Sequence, residues 1–362
     1  MFPYFFTFFF SIIVFYLSRQ QAIGKNSIIL NNMLLYISLI PLVLMGGFRD
    51  YKVGTDTLVY KFFYDELSTD ANEMLNQIDI FNESGFKILE YFIKTMGFDY
   101  QAVMTAVSLI VIVFYYKSIL KLSIKPEFSF SLLLLLCFYT FHFNAARQGI
   151  AVAVFFYSLR FIINRDFKWF FICICFGFLF HKTIILCLPI YFLYNVRFNL
   201  INNFIIIISI VLLSSFVNQL VSFATNFIDE RYVDFSNSVN EGTGGFSSFV
   251  WTVIFLFFVL MKYINGINSS TYNLGLNMLT LSVSISILSS FVLHLPGSGI
   301  LRLTLYFNQI AILMFPIVVY SFKDDLVRAM AFFVIFSVLI FYAYFYIYSL
   351  NGLFPYRIGN IV

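Results

Sequence analysis

Residues 27–47 read SIILNNMLLYISLIPLVLMGG, and the chain runs directly on into FRDYKVGTDTLVY at residues 48–60. The first stretch holds about 20 residues, the length that an α-helix needs to cross the hydrocarbon core of a bilayer. The second stretch carries Arg49, Lys52 and two aspartates. Together they predict a helix that spans a membrane and ends at a charged segment.

The composition of the whole chain extends this prediction. Of its 362 residues, 61% are apolar, 21% are aromatic and 11% are charged, whereas roughly a quarter of the residues in a soluble protein are charged. Apolar runs of helical length recur, and none alternates as a membrane β-strand does. We therefore predict an all-α polytopic membrane protein that forms one integral membrane domain over residues 1–362.

About twelve apolar runs are candidate transmembrane helices. They lie at residues 2–17, 27–47, 100–120, 128–143, 146–163, 168–180, 183–195, 200–217, 247–264, 272–293, 299–321 and 326–348. The first run has no positive charge before it and no small-residue cleavage site after it, so it is interpreted as a retained span. The sixth and seventh runs are short and are interrupted by FHK at 180–182, so they form either two crossings or one broken or re-entrant unit.

The distribution of Lys and Arg predicts the topology. Cytoplasmic connections collect these residues, and the basic connections, which include those with Arg197 and Lys262, alternate along the chain. Both termini and two large segments, 48–99 and 218–246, are then outside. The first segment has amphipathic stretches and is expected to form a cap of short helices, whereas the second has the composition of a mobile loop.

Five arginines remain near span ends on the predicted outer side, where basic residues are usually few. The planar guanidinium group binds phosphate through two hydrogen bonds, so several converging arginines would suit the pyrophosphate of a lipid. The alternative is that each side chain extends to lipid headgroups or pairs with a nearby acid, such as Asp50 beside Arg49. The five arginines are Arg49, Arg147, Arg231, Arg302 and Arg357.

Two of these arginines stand in distinctive local sequences. Arg147 and Gln148 begin an apolar helix rich in Ala and Gly, and small residues permit close helix packing, so Arg147 is expected to point into the bundle. Arg302 follows a helix break at Pro296, and a helix N-terminus with an arginine is suited to bind an anion.

Two further residues are candidate catalytic groups. Asp56, in VGTDT at 53–57, is either a helix N-cap or a general base for a sugar hydroxyl. His181 is either a packing residue or a group that donates to phosphate or carries a proton. All four cysteines lie in apolar runs, which indicates buried thiols and neither disulfides nor metal ligands. We expect no metal, no cofactor and no nucleic-acid partner.

Seven short motifs occur in order over nearly the whole chain. They are FRDYKVGTDTLVYKFF (48–63), ESGFKILEYFIKTMGFDYQ (83–101), ARQGIAVAVFFYSLRFI (146–162), FLFHKTIILCLPIYFL (178–193), ERYVDF (230–235), LRLTLYF (301–307) and PYR (355–357). In these motifs the chain resembles the EpsG family of polysaccharide-polymerising membrane proteins, which is related in role to the Wzy O-antigen polymerases.

The resemblance implies a metal-independent glycosyltransferase of the multi-span type that uses lipid-linked sugars. It would transfer a growing undecaprenyl-pyrophosphate-linked chain onto the next lipid-linked oligosaccharide unit, at the outer face of a bacterial inner membrane. A chain-length regulator protein is a further candidate partner. The implied site is lined by Arg49, Asp56, Arg147, Gln148, His181, Arg231, Arg302 and Arg357. Asp56 is our first choice for the base and His181 the second.

Two other functions are compatible with the sequence. A flippase or transporter of lipid-linked oligosaccharides would also need many spans and a basic cavity, but charges near the midplane and internal repeats are typical of transporters, and neither is visible here. A ligase or acyltransferase of the cell envelope would use a similar donor with a different acceptor.

Overall fold

The computed structural model describes residues 1–20, 25–77, 83–213, 245–292, 300–349 and 352–359. Within these residues there is no β-strand, and the one isolated antiparallel bridge joins Arg49 to Ile358. The all-α class that the sequence predicts is therefore confirmed.

The chain packs as two compact units, residues 1–188 with 323–362 and residues 189–322. Whether they act as one membrane domain stays a prediction. The described helices of the first unit are α1 (Phe2–Ser18), α2 (Lys25–Gly47), α3 (Thr57–Glu66), α4 (Ala71–Gln77), α5 (Ser84–Thr95), α6 (Tyr100–Leu122), α7 (Pro126–Leu135), α8 (Ala146–Ile163), α9 (Phe167–Phe178) and α16 (Asp325–Ser349), with 3₁₀ turns at Thr140–Phe143 and Lys182–Cys187.

The second unit contains the connection between the two parts of the first. Its described helices are α10 (Ile190–Leu193), α11 (Leu200–Leu213), α12 (Gly245–Ile264), α13 (Ser270–Ile287), α14 (Thr304–Asn308) and α15 (Ala311–Ser321), with a π-helical turn at Leu288–Val292 and a 3₁₀ turn at Ile300–Leu303.

Seven described helices are long and apolar enough to cross a membrane, and an eighth span is formed if the bent pair Leu301–Asn308 and Ala311–Ser321 is counted as one. Shorter apolar helices lie at Phe2–Ser18, Phe167–Phe178 and Lys182–Leu193. The last two coincide with the two short runs of the sequence, and the chain leaves helical geometry between them. The polytopic membrane character is thus confirmed, while the number of crossings stays open.

The apolar surface of α16 shows how these helices meet lipid. Phe333, Val338 and Phe341 are 72%, 60% and 71% exposed, and only 11% of the helix is buried inside the protein. A soluble protein rarely exposes a continuous apolar surface of this kind. A bilayer is the environment that covers it.

The core of the first unit is built around α8, whose small residues allow close packing as predicted. Ala151 and Ala153 are fully buried. A Cβ atom on Gly149 would lie 2.5 Å from the Cβ atom of His142, so only glycine fits there. This packing fixes the start of α8, and with it Arg147, against the preceding 3₁₀ turn.

The segment at 48–99 forms three short helices, α3, α4 and α5, in its described part. Helix α5 buries Phe86 and Glu90, whereas Phe92 is 56% exposed. Short helices are thus present in the predicted cap segment, and its place on the outer side stays a prediction. The predicted mobile loop at 218–246 lies almost entirely outside the described residues.

Candidate functional site

Glu83 lies immediately before α5, at a point where two backbone segments approach closely. The amide of Gly85 donates a hydrogen bond to the carbonyl of Leu179 at 2.8 Å, and a Cβ atom on Gly85 would lie 2.9 Å from that oxygen. Glycine is therefore needed for the contact. As a result, Glu83 is held against the break that follows α9, with a φ of 57° and 7% exposure.

The carboxylate of Glu83 joins two residues that are distant in sequence. Its Oε2 atom lies 2.9 Å from Nη1 of Arg147, and its Oε1 atom lies 2.6 Å from Nδ1 of His181. The backbone amide of Lys182 also donates to Oε1, at 3.3 Å. We call Glu83, Arg147 and His181 the Glu83 cluster.

These contacts determine the charge of Glu83. Burial raises the pKa of its carboxyl group, but the close contact with His181, the charges of His181 and Arg147 and the amide of Lys182 together lower that pKa below its ordinary value. A carboxylate stabilised by a cation and by hydrogen bonds stays ionised at neutral pH. The cluster thus contains a fixed negative charge between two basic side chains.

Arg147 is the accessible member of the Glu83 cluster. Its side chain is 33% exposed, compared with 18% for His181 and 9% for Glu83. The guanidinium carbon lies 5.6 Å from the ring centroid of Tyr60, and that ring packs 5.3 Å from the ring of Phe86. The aromatic packing and Glu83 orient the guanidinium group while part of it stays open to a ligand.

A second acid on α5, Glu90, lies two helical turns after Glu83 and is 5% exposed. Its Oε1 atom is buried and has no hydrogen-bond partner in the described part of the protein. Burial raises the pKa of this carboxyl group to about 8, although the charges of Arg147, Lys87 and Lys94 oppose the rise. Glu90 is therefore largely protonated at pH 7.

Asp56 precedes α3 as its N-cap residue, but its side chain makes no capping bond to the helix. Its Oδ1 atom instead accepts a hydrogen bond from Oγ1 of Thr55 at 2.8 Å. The loop is attached to the segment before α8, because the amide of Thr55 donates to Oδ1 of Asn144 at 3.0 Å and Oγ1 of Thr57 donates to the carbonyl of Phe143 at 3.0 Å.

Arg49 is buried, with 2% exposure. Its guanidinium group donates to the carbonyl of Gly46, contacts the sulfur of Met104 at 3.1 Å and lies 4.6 Å from the ring centroid of Phe143. No carboxylate in the described residues lies within ion-pair distance, and Asp50 instead accepts a hydrogen bond from the backbone amide of Lys52. Arg49 therefore stabilises the end of α2 and the segment before α8.

The C-terminal segment lies beside Arg49. The amide of Asp50 donates to the carbonyl of Arg357, and the amide of Gly359 donates to the carbonyl of Phe48, both at 2.9 Å. The side chain of Arg357 is exposed. The first and last predicted site motifs are thus adjacent in space.

The remaining predicted site residues lie in several different parts of the chain. Gln148 is buried in α8 beside Arg147. Arg302 lies in the 3₁₀ turn Ile300–Leu303 of the second unit, and Arg231 lies outside the described residues. The first unit therefore holds six of the eight predicted site residues, namely Arg49, Asp56, Arg147, Gln148, His181 and Arg357.

Sequence reasoning missed Glu83 and Glu90. Both lie in the cap segment among eight other acidic residues, so their charge alone did not distinguish them. The available signal for Glu83 was its position directly before Ser84 and Gly85, since small residues permit the close backbone approach that buries an adjacent side chain.

Comparison with known proteins supplies one match. The model of a family described as the EpsG family matches residues 32–358. Neither the curated proteins nor the solved structures gave a match. Among the described residues, no group of three or more His, Cys, Asp or Glu side chains is placed to hold a metal ion.

Proposed function

The chain belongs to the EpsG family, and on this premise we propose that it polymerises polysaccharide repeat units from lipid-linked oligosaccharides. Membership of this family supports a membrane protein that takes part in polysaccharide polymerisation and resembles a glycosyltransferase in its role. The finer proposal is that a growing undecaprenyl-pyrophosphate-linked chain is transferred to the next lipid-linked unit, at the outer face of the inner membrane and without a metal ion.

The observation that carries the proposal is the pair of contacts that Glu83 makes with Arg147 and His181. These three residues come from a cap helix, a buried apolar helix and the break between two short apolar helices. Burying a carboxylate is costly unless it is paired. In this protein the buried carboxylate of Glu83 is paired, and it holds an arginine and a histidine together. Such an arrangement is typical of a site where charge develops during a reaction.

Arg147 is suited to stabilise the leaving group. In the proposed transfer, the bond between the anomeric carbon of the donor sugar and the phosphate oxygen breaks, and the electron pair leaves with the pyrophosphate. The negative charge on that group grows as the bond breaks. A positioned guanidinium group binds the developing charge more strongly than the starting charge, which lowers the barrier.

His181 is suited to accept the proton of the acceptor hydroxyl. The oxygen of that hydroxyl forms the new bond to the anomeric carbon, and its proton must go to a base. Because Nδ1 of His181 faces Glu83, Nε2 is the nitrogen left to accept the proton. The carboxylate of Glu83 would orient the ring and stabilise its cationic form.

The sequence ranked Asp56 before His181 as the base, and the contact with Glu83 reverses this preference. Asp56 accepts a hydrogen bond from Thr55, whereas the buried carboxylate of Glu83 contacts His181. We therefore assign Asp56 to the binding of sugar hydroxyls. The other predicted residues, Arg49, Gln148, Arg231, Arg302 and Arg357, stay candidates for binding the pyrophosphate.

The test is a gel of the surface glycan from a strain that lacks this protein. The expected result is a single-unit band in the deletion strain and a full ladder after complementation with the wild type. A full ladder in the deletion strain would contradict polymerisation and favour a ligase or acyltransferase. Loss of the single-unit band would favour a flippase.

A further inference from the structure

A cavity of about 290 Å³ in the second unit lies far in sequence from the Glu83 cluster. It is lined by Arg197, Phe198, Lys262, Tyr263, Asn268 and Asn273. Two of these residues are cations and none is an acid. The proposed polymerisation makes no use of this cavity.

Lys262 carries a buried charge, and no described acid forms an ion pair with it. It lies in the last turn of α12 and is 8% exposed. Its ammonium group donates to the carbonyl of Ile267 at 3.1 Å and to the Oδ1 atoms of Asn268 and Asn273 at 3.2 and 2.7 Å. These neutral oxygens satisfy the three donors, but they do not neutralise the charge.

Within its described residues, the second unit offers no counter-ion to this cavity, because those residues include no Asp or Glu. The four acids of this unit, Asp229, Glu230, Asp234 and Glu241, all belong to the segment that the charge pattern predicts on the opposite side of the membrane. A buried cation in such surroundings attracts an anion from outside the protein.

Arg197 provides further hydrogen-bond donors, whereas the three donors of Lys262 are already used. In the described residues it forms neither an ion pair nor a side-chain hydrogen bond, and its side chain is exposed. Its backbone is fixed on both sides: the carbonyl of Val196 accepts a bond from Nδ2 of Asn277 at 2.9 Å, and Phe198 is buried edge-on against Phe255. Arg197 is thus held at the cavity with its guanidinium group available.

We propose that this cavity binds the phosphate group of an anionic ligand, with Arg197 donating hydrogen bonds and Lys262 supplying a fixed positive charge. Arginine binds phosphate through paired hydrogen bonds. Tyr263 beside the cavity is 56% exposed, and exposed tyrosines are typical of the headgroup region of a membrane. The phosphate comes either from an anionic lipid headgroup of the cytoplasmic leaflet or from free phosphate, and both share this chemistry.

The experiment uses the full chain and the variant Arg197→Gln, because Arg197 is exposed and its loss leaves the bonds of Lys262 intact. Lys168→Gln is the matched control, since Lys168 is an exposed lysine predicted on the same side and outside the cavity. Each protein is placed in nanodiscs with equal parts of phosphatidylglycerol and phosphatidylcholine, and the retained lipids are counted by native mass spectrometry.

The expected result is selective retention of phosphatidylglycerol by the wild type and by Lys168→Gln, with affinity at least about tenfold weaker in Arg197→Gln. A second arm uses phosphatidylcholine alone and adds inorganic phosphate, with ionic strength matched by chloride. Another outcome is that phosphate in this arm stabilises the wild type and Lys168→Gln against heat but leaves Arg197→Gln unchanged. That result, without lipid selectivity in the first arm, would support the site with free phosphate as its ligand.

Two outcomes would overturn the proposal. One is identical behaviour of all three proteins in both arms. The other is an equal loss of binding in Arg197→Gln and Lys168→Gln, because a general decrease in surface charge would then explain the result. Lys262→Met, which keeps most of the length of the side chain and removes its charge, should also weaken binding, and binding as strong as that of the wild type would contradict the role of Lys262.

Discussion

Glu83 and Arg147 form an ion pair across 64 positions of the sequence, with 2.9 Å between Oε2 and Nη1. The pair joins the start of a cap helix to the first turn of the buried helix α8. Because Glu83 also contacts His181, loss of its charge should disturb both basic groups at once. Glu83 is therefore expected to position the two groups without touching the substrate.

The first prediction concerns Glu83→Gln, which keeps the shape of the side chain and removes its charge. We expect at least a tenfold loss of polymer formation, because Arg147 and His181 lose the group that orients them. We also expect a loss of roughly 1–3 kcal/mol in stability, since a buried polar contact is weakened. The measurements are the glycan ladder at matched protein level and thermal unfolding in detergent.

Glu66→Gln is the control for this variant, because Glu66 lies on the same cap and is exposed. It should leave both the ladder and the unfolding temperature unchanged. Equal ladders for Glu83→Gln and Glu66→Gln would remove Glu83 from the site.

The second prediction separates the two candidate bases. His181→Gln should lower the rate of chain extension about 10²-fold or more, the usual contribution of a general base. Asp56→Asn should retain most of that rate and weaken the binding of sugar units. The measurement is extension of lipid-linked repeat units by membranes that contain equal amounts of each variant. If Asp56→Asn abolishes extension while His181→Gln does not, the original ranking from the sequence is right.

The third prediction concerns pH. Burial raises the pKa of Glu90 to about 8 in the folded protein, compared with an ordinary value of 4.5 for this carboxyl group. Between these values the folded state holds a proton that the unfolded state has released, so stability decreases as the pH rises from about 4.5 to about 8. Glu90→Gln removes this effect. Its unfolding temperature should therefore increase relative to that of the wild type from pH 5 to pH 8, whereas a constant difference would contradict the protonated state of Glu90.

The fourth prediction concerns the loop that holds Asp56. Gly54 has a φ of 97°, and a Cβ atom there would lie 2.4 Å from the carbonyl oxygen of Phe143. Gly54→Ala should therefore destabilise the protein by about 1–3 kcal/mol. Gly97→Ala is the matched control, since Gly97 has a φ of 80° and nothing within 4 Å of such a Cβ atom. Thermal unfolding should show the larger loss for Gly54→Ala, and equal losses would contradict the close approach of the loop to Phe143.

The sequence predicted the helices better than the contacts of the site. Apolar length and hydropathy depend on neighbouring residues, so the runs at 100–120, 146–163 and 326–348 could be located without tertiary information. The buried arginine Arg49 could be recognised as unusual from its place after α2. Besides the nearby carbonyl of Gly46, however, its partners are a methionine sulfur and a backbone carbonyl from distant segments, and no local pattern indicates the distant contacts.

Glu83 in the candidate site could not be predicted from local sequence either. It was one of ten acids in the cap segment, and only the approach of Gly85 to Leu179 makes it the buried acid that contacts His181. Long-range contacts of this kind depend on how the elements pack, which periodicity within one segment does not determine. Arg147 could be selected because a charged residue at the start of an apolar, small-residue helix is rare and costly.

The most direct test of the central claim is Arg147→Ala in the deletion strain, expressed at the level of the wild type. Arg19→Ala is the control, because the ion pair that Arg19 forms among the described residues is a longer contact of 3.7 Å with a partly exposed acid. The account predicts a single-unit glycan band for Arg147→Ala and a full ladder for Arg19→Ala, since loss of a group that stabilises the leaving pyrophosphate costs about 10²-fold or more in rate. A full ladder from Arg147→Ala at normal protein level would contradict the Glu83 cluster as the site of polymerisation.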